Sequence, residues 1–294
     1  MGKMSKRRST PGASLLRGVA RGPMATRIIG KVRITGPVLP MSSGYPPLRG
    51  TAPDKIIQKI KWAKGRGLRA LIVEINSPGG AVVASKEIGD AIKAAGMITV
   101  AWIRDVGASG AYWIASACNR IVADPCSTVG SIGVFSPHLE ISELMKKYGI
   151  KYEGYKSGNF KDMGVPFRKS NEKEKKLITE HLRKLHDIFI KEIAENRGLE
   201  MKAVKKISQG QVYLGEEAKR LGLVDKLGGR EEVVRQCEIA GNFRHLMVVD
   251  IEDFREEFFS ILRSFFSDAP LSAIGREFTR GITDFFNLQG RYFL

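Results

Sequence analysis

Ala70-Leu71-Ile72-Val73-Glu74-Ile75-Asn76-Ser77-Pro78-Gly79-Gly80 decides the fold. Its apolar, β-branched first half reads as a strand buried on both faces, and Pro78-Gly79-Gly80 ends it. Upstream, Thr51 as N-cap, Pro53 in the first turn and Ile56, Ile57 and Ile60 at helical spacing predict a helix to about Lys64. Downstream, a helix from about Val82 to Ala95 leads into a second apolar run, Ile98 to Ile103. Strand, helix, strand at this spacing predicts a parallel sheet with crossover helices.

Further out, Ile28 to Ile34 reads as a strand and the Pro/Gly-rich stretch from Gly36 to Gly50 as a loop. After Gly107 the pattern predicts a helix from Ser109 to Ala117, strands at Arg120 to Ala123 and Ile132 to Phe135, a helix near Glu140 to Tyr148 and a strand at Lys151 to Tyr155. A long helix from Asn171 to Asn196 follows, with Ile178, Leu182, Leu185, Phe189 and Ile193 on one face. The expected organisation is a disordered basic extension over 1–26, an α/β domain over 27–240 and an amphipathic helical tail over 241–294. In that tail Phe254, Phe258, Phe265 and Phe266 recur at helical spacing, which suits a helix packed on its own domain or on a neighbouring subunit, or an interfacial membrane helix, and the sequence does not decide between them.

The formal net charge is +17, and no acidic residue precedes Asp54, so the excess is concentrated in the cations from Lys3 to Arg49. Such a stretch suits an anionic membrane surface or simple solvation. No recognition-helix or stacking-aromatic motif supports nucleic-acid binding. No window reaches the roughly 18–20 apolar residues of a membrane span, and no secretory signal is evident, which predicts a cytoplasmic protein, at most peripheral at a membrane. Cys118, Cys126 and Cys237 form neither a disulfide framework nor a metal-ligand spacing, so neither metal nor cofactor is expected.

The chemistry is carried by Asp105-Val106-Gly107-Ala108-Ser109-Gly110-Ala111-Tyr112-Trp113, in which a serine among small residues leaves a buried strand and opens a helix. Read alone, Ser109 is an N-cap, the usual role of a serine at a helix start. The second turn, Asn76 to Gly80, also leaves the C-terminal end of a parallel strand, where open α/β sheets bind ligands. Two such turns can aim two backbone N–H groups at one developing oxyanion.

Four blocks resemble those of the signal peptide peptidase A (SppA) family, whose fold is similar to ClpP and the crotonases. They are Asn76-Ser77-Pro78-Gly79-Gly80, Ala108-Ser109-Gly110, Val129-Gly130-Ser131-Ile132-Gly133-Val134 and Lys156-Ser157-Gly158-Asn159-Phe160-Lys161-Asp162. A fifth stretch runs from Gly210-Gln211-Val212-Tyr213 to Leu227-Gly228-Gly229. The resemblance implies a serine endopeptidase with a ClpP/crotonase-like fold that acts on cleaved signal peptides or other unfolded peptides. It implies Ser109 as nucleophile, Lys161 as general base, Ser131 orienting the lysine amine, and the N–H groups of Gly80 and Gly110 as the oxyanion hole. It also implies a ring-like homo-oligomer larger than a dimer, in which neighbouring subunits complete the substrate groove. A lysine with the usual pKa of about 10.4 is almost wholly protonated at neutral pH, so the base needs burial. Lys156 competes with Lys161, and Ser127 and Ser136 with Ser131.

Three other readings compete. A ClpP-like Ser/His/Asp peptidase would need a histidine, and His138 is the one near the nucleophile in sequence. A crotonase-like acyl-CoA enzyme would need the glycine turns without Ser109 or Lys161. A non-enzymatic basic scaffold rests on the N-terminal charge alone.

Overall fold

The computed structural model describes residues 27–40, 50–243 and 246–251. The extension expected over 1–26 and the aromatic helix expected beyond Phe254 lie outside the described residues. Strand β1 (Arg27–Thr35) is followed by α1 (Pro53–Gly65), β2 (Ala70–Ser77), α2 (Val82–Ala94), β3 (Ile98–Ala108) and α3 (Gly110–Ser116). Then come β4 (Arg120–Ala123), β5 (Thr128–Gly130), α4 (Ser142–Lys147), α5 (Glu172–Arg197) and α6 (Met201–Ile207). The series closes with β6 (Val212–Leu214), α7 (Gly215–Arg220), β7 (Lys226–Leu227), α8 (Arg230–Gly241) and β8 (Leu246–Asp250).

The strands form one sheet in the order β6-β5-β3-β2-β1-β8, with β4 pairing to β3 and β7. All these pairs are parallel except β5 with β6. The protein is thus α/β, built from β-α-β units. Because side chains alternate along a strand, β2 feeds two cores. Leu71, Val73 and Ile75 join the larger cluster with Ile88, Ile92, Tyr112 and Trp113. Ala70 and Ile72 join the smaller one with Val100, Val233, Cys237 and Phe243, beneath α8.

Several elements differ from the sequence expectation. The strand expected at Ile132 to Phe135 is instead Thr128–Gly130. Gly130 and Ser131 both take positive φ, which ends the strand. Lys151 to Tyr155 form no strand; they are exposed and pair with no described strand. The sheet also takes a strand from beyond residue 240, since β8 pairs with β1 from Arg27↔Leu246 to Lys31↔Asp250.

Helix α5 begins on a capping box, with the Asn171 side chain accepting from Glu174 N. Its apolar face is continuous, yet only Phe189, Ile190, Ile193 and Ala194 of that face are buried, in the last three turns. Trp113 of α3 stacks on Phe189 at 4.4 Å between ring centroids. Ile178, Leu182 and Leu185 stay half-buried. Before α5, residues 135–170 form an arm with no fully buried residue, and α4 within it buries none of its side chains.

Candidate active site

Two turns meet at the C-terminal edge of the sheet. The first leaves β2 through Ser77-Pro78-Gly79-Gly80. Ser77 Oγ donates to Gly36 O at 2.6 Å and accepts from Gly79 N at 3.1 Å, which fixes the turn from inside. Val38 N donates to Gly79 O, and Ala81 N to Val38 O, each at 2.9 Å, so the turn is also pinned from the loop after β1. The second turn leaves β3 through Ala108-Ser109-Gly110. Asn76 braces the two: its Nδ2 donates to Asp105 Oδ2 at 2.8 Å and its Oδ1 accepts from Val106 N at 3.1 Å.

The turns approach so closely that glycine is required. Gly79 has φ 89°, and a Cβ there would lie 2.6 Å from Gly110 N, 2.7 Å from Ala108 O and 2.9 Å from Ser109 Cβ. Gly80 and Gly110 are neighbours as well, since a Cβ at Gly110 would sit 3.3 Å from Gly80 N. Neither Gly80 N nor Gly110 N donates to a described backbone or side-chain acceptor, so two N–H groups on adjacent turns are free for a ligand oxygen.

Ser109 is half-buried between them, with φ 53° and ψ −125°. Its side chain makes no capping hydrogen bond to α3, so the bland N-cap role does not describe it. Its N–H instead donates to Gly130 O at 2.7 Å, linking the turn after β3 to β5. Ser131 follows with φ 50°, half-buried, its N–H donating to Gln211 O at 2.8 Å. Non-glycine residues in this region are uncommon, and persist where the surroundings hold them.

The other serines are differently employed or placed. Ser127 is buried, donating to Arg104 O at 2.5 Å and accepting from Asp124 N at 3.0 Å, a structural role in the β4–β5 turn. Ser136 lies exposed in the arm.

The lysines lie in the arm. Lys156 is ion-paired to Asp162 at 2.6 Å. Lys161 is exposed, its N–H donating to Gly158 O at 3.2 Å in a local turn. No hydrogen bond joins Lys161 to Ser109 or Ser131 within this chain. The single chain therefore brings together Gly80, Ser109, Gly110 and Ser131, and leaves Lys161 on an exposed arm. His138 is exposed in the same arm. Among the described residues no cluster of histidine, cysteine and carboxylate side chains could hold a metal.

A serine in a left-handed turn at the C-terminal edge of a parallel sheet, near two backbone N–H groups without described acceptors, is an arrangement that can serve nucleophilic chemistry. The model of Peptidase family S49 matches residues 91–243, and the chain belongs to that family. It is 34% identical over 189 residues to the "Putative protease" of Methanocaldococcus jannaschii, covering 64% of this chain and 61% of that one. It is also 34% identical over 182 residues to the "Putative signal peptide peptidase SppA" of Enterococcus faecium, covering 61% of this chain and 53% of that one. The chain thus matches between half and two thirds of the length of these relatives. In structure it is similar to a ClpP1 mutant from Listeria monocytogenes, with a TM-score of 0.46 and 15% identity over 69% of this chain and 94% of that one. No helix among the described residues is long and apolar enough to cross a membrane.

Proposed function

We propose that this protein is a serine endopeptidase of the signal peptide peptidase type, which hydrolyses signal-peptide remnants or other unfolded peptides through an acyl-enzyme on Ser109. The observation that carries the reading is the meeting of the two glycine turns, so close that a Cβ at Gly79 would lie 2.6 Å from Gly110 N and 2.9 Å from Ser109 Cβ. Neutral Lys161 takes the Ser109 Oγ proton as Oγ attacks the peptide carbonyl carbon. The resulting oxyanion accepts from Gly80 and Gly110, an arrangement commonly contributing about 3–4 kcal/mol per donor to the barrier. The lysine ammonium then protonates the leaving amine, and water repeats the sequence on the ester. Ser131 accepts from or donates to the amine and orients it.

A base must be desolvated to be neutral, and Lys161 is exposed in the single chain. Burial then comes from a second copy. The arm supports this, because Phe135, Leu139, Tyr148 and Tyr155 are 84%, 72%, 70% and 94% exposed in one segment. In the first half of α5, Ile178, Leu182 and Leu185 are likewise not fully buried. The active unit is accordingly a homo-oligomer larger than a dimer, in which the arm of one subunit brings Lys161 to Ser109 of the next. The cations of residues 1–26 give this assembly a salt-sensitive affinity for an anionic membrane, where hydrophobic peptides collect.

Mass-spectrometric analysis of an unfolded protein and a signal peptide incubated with wild-type and Ser109→Ala protein tests the reading. Cleavage by wild type alone supports it. No cleavage by the assembled wild type, or equal cleavage by both, overturns it. Salt-sensitive vesicle binding without any cleavage would point to the scaffold alternative.

A further inference from the structure

The Lys161 turn is not held by the sheet. It is bracketed by Gly158 and Gly164, at φ 101° and 87°, and its backbone bonds are local ones, such as Lys161 N to Gly158 O. What anchors it is a charged clamp centred on Arg168. The guanidinium donates from Nε to Asp162 Oδ2 at 2.9 Å and from Nη2 to Asp162 Oδ1 at 2.8 Å, a bidentate pairing. Nη2 also donates to the Asp162 carbonyl at 3.3 Å. On its other side, Nη1 and Nη2 donate to Glu174 at 2.9 and 2.5 Å.

Glu174 is the rigid end of the clamp. It is fully buried in the first turn of α5 and accepts from Asn171 N at 2.9 Å, while its own N–H donates to Asn171 Oδ1 at 3.0 Å. The chain of contacts therefore runs from the start of α5 through Glu174 and Arg168 to Asp162, the residue next to the proposed base. The charged groups around Asp162 are Lys156 at 2.6 Å on its own segment, Arg168 ahead of α5, and Glu174 within α5. Lys169 faces away, onto Glu143 of α4 at 2.8 Å.

The position of Asp162 has a chemical consequence. A free carboxylate beside a lysine favours the ammonium form, and raises its pKa by about 1–3 when the two pair. That would defeat a base that has to be neutral. In this chain both Asp162 oxygens are already engaged by Arg168 and Lys156.

We propose that Arg168 is a positioning residue of this peptidase, which ties the Lys161 turn to α5 and withholds the Asp162 carboxylate from the Lys161 amine. The inference rests on Lys161 being the base. Arg168 touches neither substrate nor nucleophile, and acts through Asp162. The depressed carboxyls of Asp162 and Glu174, both lowered chiefly by hydrogen bonds from Arg168, agree with the geometry.

The test is the pH dependence of kcat for peptide hydrolysis by the full assembled chain carrying Arg168→Gln, Asp162→Asn or both. Glutamine keeps an amide donor for buried Glu174 while removing the bidentate charge, which leaves Lys156 on Oδ1 and frees Oδ2 of Asp162. Arg168→Gln is expected to move the acid limb upward by about one pH unit, a loss of about tenfold at neutral pH. Adding Asp162→Asn is expected to return the limb to its wild-type position. A wild-type limb in Arg168→Gln, or an equal loss at every pH that Asp162→Asn does not reverse, overturns the proposal. If Arg168→Gln does not fold, Arg168→Lys, which cannot span both carboxylates bidentately, is read by the same criterion. Lys161→Ala separates the two levels. If it keeps wild-type activity, the lysine-base reading fails and this inference with it. If Lys161→Ala is inactive while Arg168→Gln keeps the wild-type limb, only the role of Arg168 fails.

Discussion

Ser109 and Ser131 each stand one residue beyond a paired position of neighbouring parallel strands, Ala108↔Gly130, and both are left-handed, at φ 53° and 50°. The bond from Ser109 N to Gly130 O at 2.7 Å makes the two turns one unit. Two adjacent strands thus end in the same uncommon conformation, and each presents a hydroxyl at the same edge of the sheet.

From this relationship, Ser109→Ala and Lys161→Ala are each expected to lower kcat by at least about a thousandfold. Ser131→Ala, which removes a group that orients the base, is expected to lower it by about a hundredfold. Steady-state kinetics with circular dichroism as the folding control checks all three. A folded Lys161→Ala protein at wild-type rate would exclude the dyad.

Gly79→Ala tests the oxyanion site, because the new methyl would fall 2.6 Å from Gly110 N and 2.9 Å from Ser109 Cβ. The turns must separate, and the expected loss in kcat is about 100- to 1000-fold. Gly96→Ala is the control. It carries a similar backbone cost, at φ 67°, but has open space around it and lies away from the site. Gly96→Ala is expected to lower the thermal midpoint and leave kcat unchanged; equal kcat losses in the two variants would contradict the placement.

If the arm supplies Lys161 to a neighbour, two inactive variants should complement each other. Ser109→Ala and Lys161→Ala proteins, dissociated and reassembled together at equal amounts, are expected to recover about a quarter of wild-type activity, since half of each partner is intact at a mixed interface. Light scattering establishes that reassembly took place. A reassembled mixture with no activity would rule out sharing between subunits.

The clamp around Arg168 also predicts how the arm responds to acid. Hydrogen bonds from Arg168, then from Asn171 N, hold the Glu174 carboxyl down to about 2 from its ordinary 4.5, against the opposing effect of burial. A carboxyl lowered on folding stabilises the folded state fully above its unfolded value, and that stabilisation is lost as pH falls through the folded one. Hydrogen-exchange protection over residues 156–174, corrected for intrinsic rates, is therefore expected to hold above about pH 5 and to decline between about pH 4.5 and 2. Protection that falls away already between pH 8 and 6 would contradict the anchor.

Much of the layering was legible because it is written in local periodicity. The run from Ala70 to Ile75 has to be buried on both faces, and the structure places it second among the strands in sequence, between β1 and β3. Arg120–Ala123 and the long helix to Arg197 were equally visible, one as a short apolar run and the other as a stripe at 3.6-residue spacing. The family blocks marked Gly79, Gly80, Ser109 and Gly110, whose close approach explains why small residues stand there. Lys151 to Tyr155 misled, because a local pattern says nothing of whether a neighbouring strand exists to pair with. Ile132 to Phe135 misled because an apolar run does not report that Gly130 and Ser131 turn the backbone left-handed just before it.

By itself, then, the sequence determined which segments must be buried, where the chain must turn, and which residue types are available for nucleophilic chemistry. Those are local properties of side-chain volume, hydrophobic spacing and glycine's backbone freedom. Only the tertiary structure decided that β8 closes against β1, that the turns after β2 and β3 meet with two free N–H groups, and that Asp162, next to Lys161 on an exposed arm, is clamped by Arg168. Each of these depends on residues far apart in the chain arriving at one place. Hydrophobic pattern fixes whether a segment is buried, but the partner is fixed by strand register and turn geometry summed over the whole fold.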